Sequence, residues 1–91
     1  MDTKKGIFEK ASDIFDLPRE VLTDIPKLTI TGCKRVHIEN HKGILEYDEK
    51  RIKVNGGRVA VVVTGAELDI ISMNSDELLL GGVIDNVGFE Y

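Results

Sequence analysis

The chain has 91 residues, of which 42% are hydrophobic and 31% charged, with a formal net charge of −4 at pH 7. That length admits one domain with a modest core, and the apolar fraction excludes a disordered chain. The acidic balance argues against nucleic-acid backbones and anionic membrane surfaces as partners, and one cysteine, Cys33, excludes an internal disulfide and fits a reducing compartment.

Residues 2–16 carry a helical pattern, with Ile7, Phe8, Ala11, Ile14 and Phe15 recurring at three- and four-residue intervals. Asp2 or Thr3 suits the start of this amphipathic helix, and Leu17-Pro18 ends it, because proline disfavours helix at the residue before it. The helix is expected over residues 1–17, covering the sheet or docking on a partner or a peripheral membrane. Met1 to Lys10 holds no apolar run of export-signal type, and the longest aliphatic run, Val59 to Val63, is too short to span a bilayer. A cytoplasmic protein is the expectation. Residues 18–26 form a connector, and Pro26 biases Ile25 towards extended geometry.

From Lys27 onward turn signals arrive every seven to nine residues: Gly32-Cys33, His41-Lys42, Glu49-Lys50, Gly56-Gly57, Gly65-Ala66, Asn74-Ser75 and Gly81-Gly82. Between them lie LTIT, RVHIE, ILEY, IKV, VAVVV, LDIIS, LLL and VIDNVGFEY. Short strands at this spacing predict an all-β domain over residues 27–91, a small antiparallel β-sandwich of about seven to eight short strands with sequential neighbours. A short β-solenoid, suggested by a rough 16-residue period, and an Sm-like or oligonucleotide-binding barrel are the alternatives. Alternation places Val36 and Ile38, Ile52 and Val54, and Leu68 and Ile70 on inward faces. VAVVV is apolar on both faces and reads as a central strand, or as one covered on its second side by the N-terminal helix. The stretch Val36 to Val54 reads as a hairpin around Asn40–Gly43, with Gly43 in the left-handed position, and Gly88 suggests a bulge or close contact in the last strand.

Chemistry is thinly represented. His37, Glu39 and His41 share strand parity and could approach a metal, but same-face neighbours on a strand sit about 6.5 Å apart and His41 falls in the turn. No metal site is therefore expected. Cys33 lies beside Lys34 and Arg35 without an identifiable base, and Asn74, Ser75, Asp76 and Glu77 lack calcium-loop spacing. The glycine pairs lack a phosphate-loop lysine, and no cofactor is expected. A small nucleic-acid-binding barrel, or a metal-dependent enzyme, remains the alternative function; only five aromatic residues are present, and they are not interleaved with basic ones.

The segment PKLTITGCKRVHIENHKGILEYDEKRIKV resembles the YabP/YqfC family of sporulation proteins, and its YqfC branch most closely. Pro26, Ile30, Gly32, Ile38-Glu39-Asn40-His41, Gly43-Ile44, Tyr47 and Ile52 carry the resemblance. Gly65, Leu68, Ile70, Met73, Glu77, Gly82 and Ile84 continue it, and LPREV fits upstream, so that roughly residues 16–91 are covered. The resemblance implies a non-catalytic β-sandwich protein of the mother cell in a spore-forming Firmicute, linked to spore envelope or coat assembly. It implies partners at the outer surface of the forespore, among them the membrane-associated YqfD, and no catalytic residues. Homo-oligomerisation through sheet edges is physically accessible. The polar loop Glu39, Asn40, His41, Lys42 and Gly43 is the candidate protein contact surface.

Overall fold

A computed structural model describes residues 25–91, which contain six β-strands and no helix. The expected helix over residues 1–17 and all of the connector before Ile25 lie outside the described residues. The strands are β1 (Lys27–Thr31), β2 (Arg35–Glu39), β3 (Ile44–Tyr47), β4 (Arg51–Asn55), β5 (Ala60–Met73) and β6 (Glu77–Glu90). They form one antiparallel sheet in the order β1-β2-β6-β5-β4-β3. An antiparallel ladder throughout is incompatible with the coils of a solenoid. No described helix is long and apolar enough to cross a membrane.

Four of the short strands expected from the sequence merge into two long ones. Gly65-Ala66 and Gly81-Gly82 do not turn the chain; both pairs lie inside strands of 14 residues each. Three register shifts interrupt the β5–β6 ladder, between Thr64 and Gly65, Ala66 and Asp69, and Ile70 and Ser72. Bulges of this kind bend a strand while keeping it paired. At the bend Glu67 takes a φ of 53° and Gly82 one of 128°. A Cβ on Gly65 would lie 2.0 Å from the Val83 carbonyl oxygen, and one on Gly82 would lie 2.5 Å from that of Glu67. These glycines serve close backbone approach. Gly88, by contrast, pairs regularly with Val62, and a Cβ there would meet only the Asn86 amide nitrogen, at 3.6 Å. The bulge or tight contact expected at Gly88 is absent, because its ladder continues without a shift.

The pairing shows that the sheet is folded over. Glu39 at the end of β2 is level with Glu77, whereas Ile44 at the start of β3 is level, through Val54 and Val61, with Phe89. In a flat sheet the twelve steps from Glu77 to Phe89 would put those two ends about 40 Å apart. The five steps from Glu39 to Ile44 can span only about 18 Å. The bend halfway along the β5–β6 ribbon resolves the conflict. It brings β2 and the first half of β6 towards β4 and the first half of β5.

One core results. Val36, Ile38, Ile52, Val54, Val61, Val63, Leu68, Leu78 and Leu80 form a single buried cluster drawn from both halves of the ribbon. Cross-strand rows explain its first half, since Leu28, Ile38, Leu78 and Met73 align, as do Ile30, Val36, Leu80 and Ile70. The inward residues expected from alternation are all inside, although Ile70 is only half-buried. VAVVV pairs on both sides, with β4 and β6, as a central strand does.

Both hairpin tips are tied to the bend. The Gly65 amide donates to the Lys50 carbonyl at 3.0 Å, the Leu68 amide to Glu49 at 2.8 Å, and the Ile84 amide to Cys33 at 2.8 Å. Tyr47 adds a side-chain tie from β3, its hydroxyl donating to Asp69 Oδ1 at 2.9 Å. That bond, before any other cause, holds the phenol above its ordinary pKa of 10.0, because ionisation would set a phenolate against a carboxylate. A folded-state pKa above the unfolded value means that this contribution is complete below about pH 10 and is lost as pH rises through the raised value. Ultraviolet titration of phenolate absorbance should show Asp69→Asn lowering the Tyr47 midpoint; an unchanged midpoint would remove Asp69 as the cause.

Candidate contact site at the 40–43 loop

The Asn40–Gly43 segment does not close a hairpin. β2 and β3 have no hydrogen-bonded ladder between them; β2 pairs with β1 and β6, and β3 pairs with β4. The expected hairpin is replaced by a crossover between the two ends of the sheet, because β6 returns to occupy the edge of β2. DEKR does form the β3–β4 turn, where Asp48 Oδ1 accepts the amides of Lys50 at 2.6 Å and Arg51 at 2.9 Å.

The crossover needs two residues of positive φ, Asn40 at 64° and Gly43 at 113°. Asparagine tolerates the left-handed region better than most side chains, and glycine carries no Cβ penalty there. Main-chain bonds then hold the loop from two sides. The Asn40 amide donates to the Asp76 carbonyl at 2.7 Å, and the Lys42 amide donates to Asn55 at 2.7 Å. The Asn55 amide returns a bond to Gly43 at 2.8 Å, continuing the β3–β4 ladder. Through its side chain, Asn40 donates to the Ile25 carbonyl at 3.1 Å, fixing the chain as it enters β1.

His41 is the buried polar residue of the described region, 5% exposed. The Gly43 amide donates to His41 Nδ1 at 3.0 Å, so that nitrogen carries no proton. The proton therefore sits on Nε2, which lies 2.8 Å from the Asn74 carbonyl oxygen and donates to it. One imidazole thus clips the crossover to the β5–β6 turn. That turn is itself shaped by Asn74, whose Oδ1 accepts the amides of Asp76 at 2.8 Å and Glu77 at 2.7 Å. His41→Ala leaves two main-chain groups without their partner and should cost about 2 kcal/mol in urea denaturation. His41→Asn, which keeps an acceptor near Gly43, should recover part of it. Equal stability of His41→Ala and the parent would show that the clip contributes nothing.

Between the crossover and the turn lies an open cleft of 660 Å³, lined by Asn40, His41, Lys42 and Gly43 on one side and Met73, Asn74, Ser75 and Asp76 on the other. Four of the five residues singled out from the sequence therefore meet here, with Lys42 exposed and His41 serving the wall from within. Glu39 instead points along the outer face of the sheet, 3.7 Å from Lys27 Nζ. The opposite wall was readable from sequence only as an Asn-Ser-Asp turn; nothing local told which loop it would face. His37 pairs with Glu77 at 3.3 Å on the outer face, so His37, Glu39 and His41 do not converge. Among the described residues no group of three or more histidine, cysteine or acidic side chains is placed to hold a metal ion. Cys33 is exposed at the tip of the β1–β2 turn.

Residues 24–91 match the model of the YabP family, which is the whole described β-region and one residue before it. A relative from Bacillus subtilis (strain 168), described as uncharacterized protein YqfC, is 30% identical over 74 residues, covering 81% of this chain and 80% of its own. No solved structure gives a significant match. A match over more than half of the chain, joined to a relative aligned along most of both lengths, establishes that the chain belongs to the YabP/YqfC family.

Proposed function

We propose that this protein is a non-catalytic assembly or adaptor module in sporulation, acting in spore envelope or coat morphogenesis within the mother cell. The open sheet carries the reading. Among the described residues β1 and β3 each have one strand partner, which leaves two edges whose amides and carbonyls can accept a strand from another chain. The two-layered sandwich that family members are expected to form is consistent with the single core shared by both halves of the bent ribbon. The cleft beside Lys42 offers a second contact surface, its walls held by His41 and Asn74. Family membership supplies the sporulation context, and YqfD, the membrane-associated partner implied by the resemblance, is the first candidate to test.

In a spore-forming host, loss of this chain should lower the yield of heat-resistant spores, and the wild-type chain should restore it. The tagged, full-length chain taken from sporulating cells should co-purify with YqfD or with a protein of the spore envelope. Normal spores from the deletion strain, together with a tagged chain that retains none of these proteins, would end the proposal.

A further inference from the structure

We propose that β1 is a self-pairing edge, and that two copies of this chain join antiparallel through it about a two-fold axis at Thr29. This rests on the reading of the protein as an assembly module only in its use of a sheet edge, and names the occupant of that edge as a second copy.

The two edges of the sheet differ in their defences. β3 has four residues, its register is broken by a bulge between Ile44 and Glu46, and Glu46 stands in its centre, ion-paired to Arg51. A bulge and a central charge are devices that keep an edge from pairing. β1 has neither. Its five residues pair with β2 without a register shift, and Thr29, Ile30 and Thr31 are β-branched. Its one charge, Lys27, lies at the start of the strand and is already 3.7 Å from Glu39.

The sequence of β1 is complementary to itself. In an antiparallel pair centred on Thr29, Leu28 stands opposite Ile30 of the second copy, Thr29 opposite Thr29, and Lys27 opposite Thr31. The apolar pairs fall on the core face, where Leu28 and Ile30 end the rows that run through Ile38 and Val36. Ile30 is 51% exposed at the open end of its row, and the partner's Leu28 would cover it. Threonine meets threonine on the outer face, and no like charges oppose each other. The two-fold arrangement consumes both copies of the edge and closes at two chains, whereas head-to-tail β1-to-β3 pairing builds rings or filaments. Five residues a side make a small interface, so the dimer forms as concentration rises.

Sedimentation velocity on the full chain tests this from about 10 μM to about 1 mM, the range that suits an interface of the small class. The wild type should move from the mass of one chain, 10.1 kDa, towards twice that value. Thr29→Lys and Thr29→Asp place like charges at the axis, and each alone should weaken association by about tenfold or more. An equimolar mixture of the two should restore it, which also shows that both variants remain folded. A wild type that keeps the one-chain mass throughout overturns the proposal, as does a dimer that Thr29→Lys leaves intact. The outcomes separate this inference from the functional reading. A monomer that still retains YqfD ends the β1 dimer and leaves the module, whereas a β1 dimer that retains no sporulation protein does the reverse.

Discussion

Gly82→Ala and Gly65→Ala should be among the most damaging single changes in the described region. A methyl group at either position meets a main-chain carbonyl oxygen of the facing strand, at 2.5 Å for Gly82 and 2.0 Å for Gly65, so backbone must shift to admit it. Overpacking against backbone costs about 3 kcal/mol or more, and at Gly82 the φ of 128° adds a further ~1–3 kcal/mol of strain. Small domains hold roughly 5–15 kcal/mol in total, so either variant should lie near the edge of folding. The control is Gly88→Ala, whose methyl finds only the Asn86 amide nitrogen at 3.6 Å. That change should fall within about 0.5 kcal/mol of the parent. Far-UV circular dichroism against urea would rank the three. Equal midpoints for Gly65→Ala and Gly88→Ala would mean that the ribbon does not bend where β5 is bulged.

The second large effect lies in the core row Ile30–Val36–Leu80–Ile70. Leu80 is fully buried and Ile30 half exposed, although both belong to one line of side chains across the sheet. Leu80→Ala should cost about 3 kcal/mol, within the range for a leucine whose surroundings cannot collapse into the space. Ile30→Ala removes a side chain that water already reaches, and should cost about 1 kcal/mol. The gradient from edge to centre is the measurement. If both variants lost the same stability, Ile30 would be as enclosed as Leu80 in the isolated chain, and β1 would not be an open edge.

These effects bear on function through the same geometry. The bend at Gly65 and Gly82 brings the ends of β2 and β3 within reach of a four-residue crossover, and the crossover builds one wall of the cleft. His41 then joins that wall to the turn at Asn74. A residue that looked in the sequence like a contact side chain, or a distant third ligand for a metal, is a buried brace. Lys42, beside it, keeps its side chain exposed.

Much of the domain was legible in residue order. Alternation identified Val36 and Ile38, Ile52 and Val54, and Leu68 as inward, because the period of two is a local property of each stretch of strand between bulges. Asp48, Asn74 and Gly43 announced turns or left-handed positions through their own short-range chemistry. The motifs carrying the family resemblance spanned the region that the family model matches.

Sequential antiparallel pairing holds for four of the five ladders, but the β2–β6 pairing was not legible, nor was the meaning of each glycine. Glycine lacks a Cβ, and that one property serves a chain reversal and a close approach of two strands equally well. Gly65 and Gly81-Gly82 could thus be read as turns until the facing carbonyls were in place. In the same way, Asn40–Gly43 has the residues of a hairpin turn, yet whether β2 receives β3 or β6 depends on where the β5–β6 ribbon, which begins at Ala60, folds back. Local chemistry settled which side of each strand faces inward. The path of the chain through space settled which strands meet, because pairing is a contact between segments that carry no information about one another until the core has closed.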